Sequence, residues 1–213
     1  QGNNAEFHYT FDNLNAFVIS LPSAALAGLE HNPNIALIEE DAPRFPISIQ
    51  TSAAQIAPQV TLSGQVVPYG IDMVQARDVW DNNRDGSIDA GAPTGSTRTI
   101  CIIDSGLYSG HDDLKNINSS GYNGNLPWNT DGDGHGSHVA GTIAAVNNTL
   151  GVVGVTPGTV KLFIVRVFGN DGVWAYSSTL ADAANRCKTG GANVISMSLG
   201  GTTKSTLEQN TFN

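Results

Sequence analysis

The stretch Arg98-Thr-Ile-Cys101-Ile-Ile-Asp104-Ser-Gly106 is an apolar run that stops abruptly on a carboxylate and a glycine. Strands buried on both faces read this way, because neither face has to be polar. Two similar runs follow at 161–168 and 193–199. Helical stretches lie between them: 135–146 is rich in small residues, and 177–188 is amphipathic and ends at Gly190-Gly191. Apolar strands joined by helical crossovers predict an α/β fold, a parallel sheet with helices on both faces. Ligands of such sheets gather beyond the carboxyl ends of the strands. Asp104 and Ser198-Leu199-Gly200 both fall at such ends.

Upstream the texture differs, and three segments are expected. Residues 1–41 read as a small α+β unit. Segments 6–11 and 15–21 are half-buried strands, Ser23 is an N-cap for a helix over 24–31, and 34–38 is a third strand. A unit this small buries little surface and needs something larger to lean on. Residues 42–64 carry Pro43, Pro46 and Pro58 without periodicity, and predict an extended, protease-accessible linker. Residues 65–213 hold the main domain. Gln1 in place of Met predicts a chain cut at its front, and the polar stretch 200–213, which ends without a closing pattern, is compatible with a second cut there.

Composition removes several classes of function. Charged residues are 14% and hydrophobic residues 40% of the 213, which excludes disorder. Ten basic residues against nineteen acidic ones give a net charge of −9, which speaks against a nucleic-acid groove or an anionic-membrane patch. No apolar run is long enough to suggest a membrane span. Cys101 and Cys187 lack C-x-x-C spacing, so a disulfide and two buried thiols both stay open.

Chemistry concentrates at two places. Asp104 ends an apolar strand, where a carboxylate needs a cationic or hydrogen-bonding partner. Downstream comes Asp131-Gly-Asp133-Gly-His135-Gly-Ser-His138-Val-Ala-Gly-Thr142, whose glycines allow close backbone approach at the start of a helix. A buried Asp accepting from one ring nitrogen fixes the tautomer of a histidine and leaves the other nitrogen as a base. A turn-capping Asp and a packing His would account for each residue alone. Both motifs together, in this order and on these elements, favour the catalytic pair.

These two motifs resemble the aspartate and histidine motifs of the subtilisin-like serine proteases. The resemblance extends through V-P-Y-G at 67–70, similar to the mature N-terminus, and N-N-T-L-G-V-V-G-V from Asn147, similar to the loop after the catalytic helix. M-S-L-G-G from Met197 resembles the strand lining the substrate pocket, and L-E-H-N-P-N-I-A-L-I-E-E-D at 29–41 resembles the end of the family's inhibitory propeptide. The resemblance implies an incomplete subtilisin-like parallel sheet preceded by a propeptide remnant, with maturation cleavage in the linker. It implies that Asp104 orients, that His135 is the general base, and that Ser198, Leu199 and Gly200 pair with extended substrate backbone. Phe168, Gly169, Gly172, Trp174 and Tyr176 would form the opposite wall, and Asp133 would favour a basic residue at a neighbouring subsite.

One departure is large. The family's nucleophile lies in G-T-S-M-A, downstream of an oxyanion-hole Asn, and neither occurs in this chain. Ser105, Ser137 and Ser198 occupy other matched positions. The implied whole is a secreted, extracellular, monomeric endopeptidase precursor acting on protein or peptide substrates, with its own propeptide as intramolecular inhibitor. These 213 residues alone are expected to be inactive. The alternatives are a non-catalytic peptide-binding or inhibitory protein, should the gene end at Asn213, and a zinc hydrolase using Asp104, Asp131, His135 and His138.

Calcium is the implied cofactor. Gln65, Asp113, Asn148 and the carbonyls of Val146, Leu150 and Val152 match the family's strong site, an oxygen set that suits this hard ion. Separately, Asp81-Asn-Asn83-Arg-Asp85-Gly-Ser87-Ile-Asp89 follows the first nine positions of an EF-hand loop, with Ala92 where the bidentate Glu belongs. A disulfide between Cys101 and Cys187 suits a secreted protease, with buried thiols as the other reading.

Overall fold

The computed structural model describes residues 5–47, 60–62 and 64–213. In chain order, strand β1 (Glu6–Phe11), a 3-10 turn and strand β2 (Ala16–Ser20) form an antiparallel hairpin, followed by helix α1 (Ser23–Glu30). Strand β3 (Pro43–Pro46) is the middle strand of a separate three-stranded sheet, and β4 (Val60–Leu62) pairs with β5 (Gln65–Val67). Two short helices, α2 (Tyr69–Met73) and α3 (Ala76–Trp80), lead to β6 (Thr99–Asp104) and β7 (Ser119–Gly121). Then come α4 (His135–Ala144), β8 (Lys161–Arg166), β9 (Ala175–Tyr176), α5 (Ser177–Thr189), β10 (Val194–Met197), β11 (Leu199–Gly200) and α6 (Thr206–Phe212).

The centre is a parallel sheet in the order β10-β6-β8-β7. Alternation along its two middle strands divides the core. Ile102, Leu162 and Ile164 face α4, where Ala140 and Ala144 let the helix lie close. Cys101, Ile103 and Val165 face α5, meeting Leu180, Ala183 and Cys187. Both faces are thus dry, as a run without polar alternation requires. Cys101 and Cys187 are joined in a disulfide, with Cα atoms 5.6 Å apart, which decides between the two readings left open for them. A third cluster, Val67, Ile71, Trp80 and Val153, fixes the corner where α2 and α3 enter.

Several expectations are corrected. Residues 34–38 form no strand and pair with neither outer edge of the two-stranded hairpin, and Leu37 and Ile38 stay exposed. Ser23 opens α1 as its first residue and Pro22 holds the cap position, with no side-chain cap bond. Within the 42–64 segment, expected as an extended linker, 43–46 is a paired strand and not a protease-accessible one, while 48–59 and 63 lie outside the described residues. The predicted run 193–199 also splits: β10 stays in the parallel sheet, and β11 turns out to meet β3. The fourth sheet strand, β7, is Ser-Ser-Gly and carries no apolar signal at all.

Candidate active site

Asp104 closes β6 and His135 opens α4, and the two meet because the helix start is drawn against the strand end. A Cβ on Gly136 would lie 2.2 Å from the Gly106 carbonyl oxygen, so only glycine permits this approach. Asp131 clamps the same corner. One of its oxygens accepts from the Gly134 N–H at 2.8 Å and from the Ser105 hydroxyl at 2.8 Å, and the other from the Ser137 N–H at 2.8 Å and hydroxyl at 2.6 Å. Burial works against its charge, but these bonds outweigh it and hold the carboxyl below the usual range.

The Asp104 side chain is fully buried, and its Oδ1 lies 2.7 Å from Nδ1 of His135. The Ser105 N–H also donates to Oδ1, at 2.7 Å, while Oδ2 is buried without a partner. Burial pushes the Asp104 carboxyl up, against the lowering effect of His135 and Ser105. For His135, burial opposes the charged ring. The hydrogen bond and charge of Asp104, the Ile47 carbonyl and the Asp133 charge prevail, and its pKa is raised. The pair is therefore built to favour an imidazolium. His138, one turn on, has no part in it. Among the described residues, no three His, Cys, Asp or Glu side chains gather as a metal-ligand group, so the zinc reading finds no ligand set.

The cleft beside this pair holds the chain's own segment. β3 lies between β11 and β9, antiparallel to both: Leu199 faces Pro46, Gly200 faces Phe45, Ala175 faces Arg44 and Tyr176 faces Pro43. Beyond the strand, the Ile47 N–H donates to the Ser198 carbonyl at 2.9 Å, and the Ile47 carbonyl lies 2.9 Å from Nε2 of His135. Ser198, Leu199, Gly200 and Tyr176 are thus brought to one extended backbone. Trp174 stacks edge-on against Tyr176, with ring centroids 4.5 Å apart. Gly169 and Gly172 make the turn before this wall, where the Gly172 N–H donates to the Gly169 carbonyl at 3.2 Å. Asp133 stands over that turn and accepts from the His135 N–H at 3.3 Å. Phe168 is fully buried, so its side chain supports the site from beneath and offers no wall.

Two carboxylates that the sequence reading passed over anchor this segment. Asp41 accepts from the Ser178 N–H at 2.9 Å and from both the Ser177 and Ser178 hydroxyls, capping α5, which has no cap of its own. Glu39 accepts from the Thr206 and Leu207 N–H groups at 2.9 and 3.0 Å, at the start of α6. Burial raises the Glu39 pKa, but these N–H groups outweigh that and lower it. The acidic run 39–41 was a visible signal; its targets lie more than a hundred residues away and were not.

The two proposed calcium loops differ. At Gln65, the amide nitrogen sits within 2.8 to 3.2 Å of four oxygens: the Val146, Leu150 and Val152 carbonyls and Asn148 Oδ1. An amide has two hydrogens, so four acceptors cannot all be served. Asp113 stands alongside, its Oδ2 taking the Val152 N–H at 3.3 Å and its Oδ1 buried without a partner. A cage with surplus acceptors and an orphaned carboxylate oxygen fits a hard cation. The 81–89 loop does not fit one. Asp81 is buried and held by Arg77 at 2.6 Å. Asn83 and Asp85 accept from the loop's own N–H groups, and Asp89 accepts from Asn82. Among the described residues, Asp81, Asp85 and Asp89 do not gather as a group of metal-ligating side chains, and the first-position carboxylate, Asp81, already has Arg77 as its cation; nothing engages the Ser87 carbonyl as a further ligand.

Residues 95–211 match the model of the Subtilase family. The chain is 38% identical over 142 residues to subtilisin DY of Bacillus licheniformis, covering 67% of this chain and 48% of that protein. It is 35% identical over 205 residues to M-protease of Shouchella clausii, covering 96% of this chain and 47% of that protein. The chain thus spans about half the length of the curated relatives it matches. Among solved structures, the psychrophilic subtilisin-like protease Apa1 of the Antarctic Pseudoalteromonas sp. AS-11 aligns with a TM-score of 0.58 and 42% identity, over 69% of this chain and 32% of that one. With an aspartate and a histidine bonded at the sheet's carboxyl edge, and these matches across most of its length, the chain belongs to the subtilase family of serine proteases.

Proposed function

We propose that the chain carries the Asp and His of a secreted, monomeric serine endopeptidase precursor. In this reading Asp104 orients and stabilises the ring of His135. His135 Nε2 takes the proton of a serine hydroxyl as that oxygen attacks a peptide carbonyl carbon. The C–N bond then breaks, the same proton passes to the leaving amine, and water hydrolyses the acyl-enzyme by the reverse proton path. The serine comes from outside these residues. The Ser105 and Ser137 hydroxyls are committed to Asp131, and no G-T-S occurs. Without it the 213 residues are inactive.

One observation carries this reading: the 2.7 Å bond between Asp104 and His135, with the Ile47 carbonyl presented to the other ring nitrogen. Residues 39–47 act as a product-like inhibitor, and the maturation cut falls after Ile47. Residues 1–41 are then the body of the propeptide remnant and 42–47 its inhibitory end, and protein or peptide chains replace 43–47 as substrates. The disulfide suits an extracellular enzyme. Calcium is the ion for the Gln65 cage, where it would answer the Asp113 charge and tie 146–152 to β5; it takes no part in bond cleavage.

The test is phosphonylation of the full-length enzyme with a serine-directed reagent, which is expected to abolish hydrolysis. Continued turnover after stoichiometric labelling, or insensitivity to the reagent, would sink the reading.

A further inference from the structure

Arg44 lies three residues before Ile47, in the strand that fills the cleft, and its side chain is only 4% exposed. Its guanidinium meets the carboxylate of Glu208, on α6, through two parallel bonds: Nε to Oε1 and Nη2 to Oε2, each 2.8 Å. The remaining terminal nitrogen donates to the Pro43 carbonyl at 2.9 Å. Glu208 is itself 16% exposed at the side chain. Room for the cation comes from Gly201, where a Cβ would stand 2.8 Å from Nη1 of Arg44. The pocket is therefore shaped for a fork-shaped cation as well as charged to receive it.

Glu208 also has a local role available. Ser205-Thr-Leu-Glu208 has the spacing of a capping box, and the Ser205 hydroxyl accepts from the Glu208 N–H at 3.3 Å. A Glu in that position ordinarily folds back onto the cap residue. Here it turns away to the strand in the cleft, while Glu39 supplies the helix start with acceptors instead.

We infer that Glu208 is a specificity-determining residue, selecting substrates with an arginine three positions before the residue whose carbonyl is attacked. This rests on reading the cleft as a protease's substrate groove. Placed without a cation, Glu208 would stand as a nearly buried charge with no partner, so a neutral residue at that substrate position is penalised. Lysine offers charge without the planar fork, and should fall between arginine and alanine.

The experiment uses the full-length enzyme and four fluorogenic peptides of the form X-Phe-Pro-Ile, X being Arg, Lys, Ala or Glu. Wild type is expected to cleave the Arg peptide with kcat/KM higher than the Ala peptide by on the order of tenfold to a hundredfold. Glu208→Gln should reduce that preference to near parity, and Glu208→Arg should favour the Glu peptide. Equal rates on Arg and Ala peptides in wild type would overturn the inference and leave the protease reading standing. Cleavage of none of the four would overturn the protease reading, and this inference with it. The wild-type comparison needs no variant to fold.

Discussion

Nε2 of His135 stands 2.9 Å from the carbonyl oxygen of Ile47, while Nδ1 of the same ring stands 2.7 Å from Asp104. Both ring nitrogens face acceptors. A neutral ring that donates to Asp104 would point a lone pair at the Ile47 carbonyl, so the contact asks for the imidazolium.

The inhibitory contact should therefore weaken with rising pH. The His135 pKa is raised in the folded state, so the stabilisation is fully present below the ordinary histidine value of about 6.5 and is lost as pH rises through the raised value. Protection of the Ile47 N–H against hydrogen exchange is expected to fall across that window. An unchanged protection factor would contradict the assignment.

Asp104→Asn should leave the fold in place and slow peptide hydrolysis by the full-length enzyme, on the order of ten-thousand-fold. The His135 pKa should drop at the same time, because the amide lacks the carboxylate's charge and is a weaker acceptor. NMR titration of the imidazole checks the second half independently of turnover.

Chelation of calcium is expected to lower Tm. A site saturated at about a hundredfold excess over Kd contributes near 3 kcal/mol, or several degrees for a domain of this size. Asp113→Asn should lower Tm in calcium and make the melt insensitive to chelator. A chelator-insensitive wild type would remove the cation from the Gln65 cage. The 81–89 loop predicts no such response for Asp85→Asn.

Replacing both Cys101 and Cys187 by Ala removes a bridge between residues 86 apart in sequence. In the chain-entropy account a closed loop of that length stabilises by about 4–5 kcal/mol. A denaturant titration with a lower midpoint and a steeper slope, because the uncrosslinked denatured chain exposes more surface, is the expected outcome.

Asp41→Ala should loosen the N-terminal segment more than the main domain, because it uncaps α5 and releases three bonds to Ser177 and Ser178. A helix cap is worth about 1–2 kcal/mol. Faster limited proteolysis of residues 39–47, with the main domain still protected, is the readout.

Much was legible without coordinates where the physics is local. The short, β-branched run ending at Asp104 reads as a strand wet on neither face, and the glycines around His135 announce a helix start pressed against another backbone. From these two signals followed the parallel sheet, its helical cover and the pairing of carboxylate with imidazole. The Gln65 cage was readable from matched positions. Its overloaded amide, and the Arg77 that pairs with Asp81 of the 81–89 loop, were not.

What the sequence by itself determined is the set of elements and the Asp–His pair, because periodicity and glycine placement act over a few residues. The resemblance implies that residues of about 39–49 fill the cleft as a product-like strand, but only the tertiary structure decided that the proline-flanked stretch 43–46 pairs in register with both β9 and β11. Pro43 and Pro46 lack N–H groups and argue against a ladder. Two short edges supplied by distant segments offered partners that no local pattern encodes. The same holds for Arg44 and Glu208, 164 residues apart, whose burial as a pair depends on a cleft that exists only once the sheet has folded.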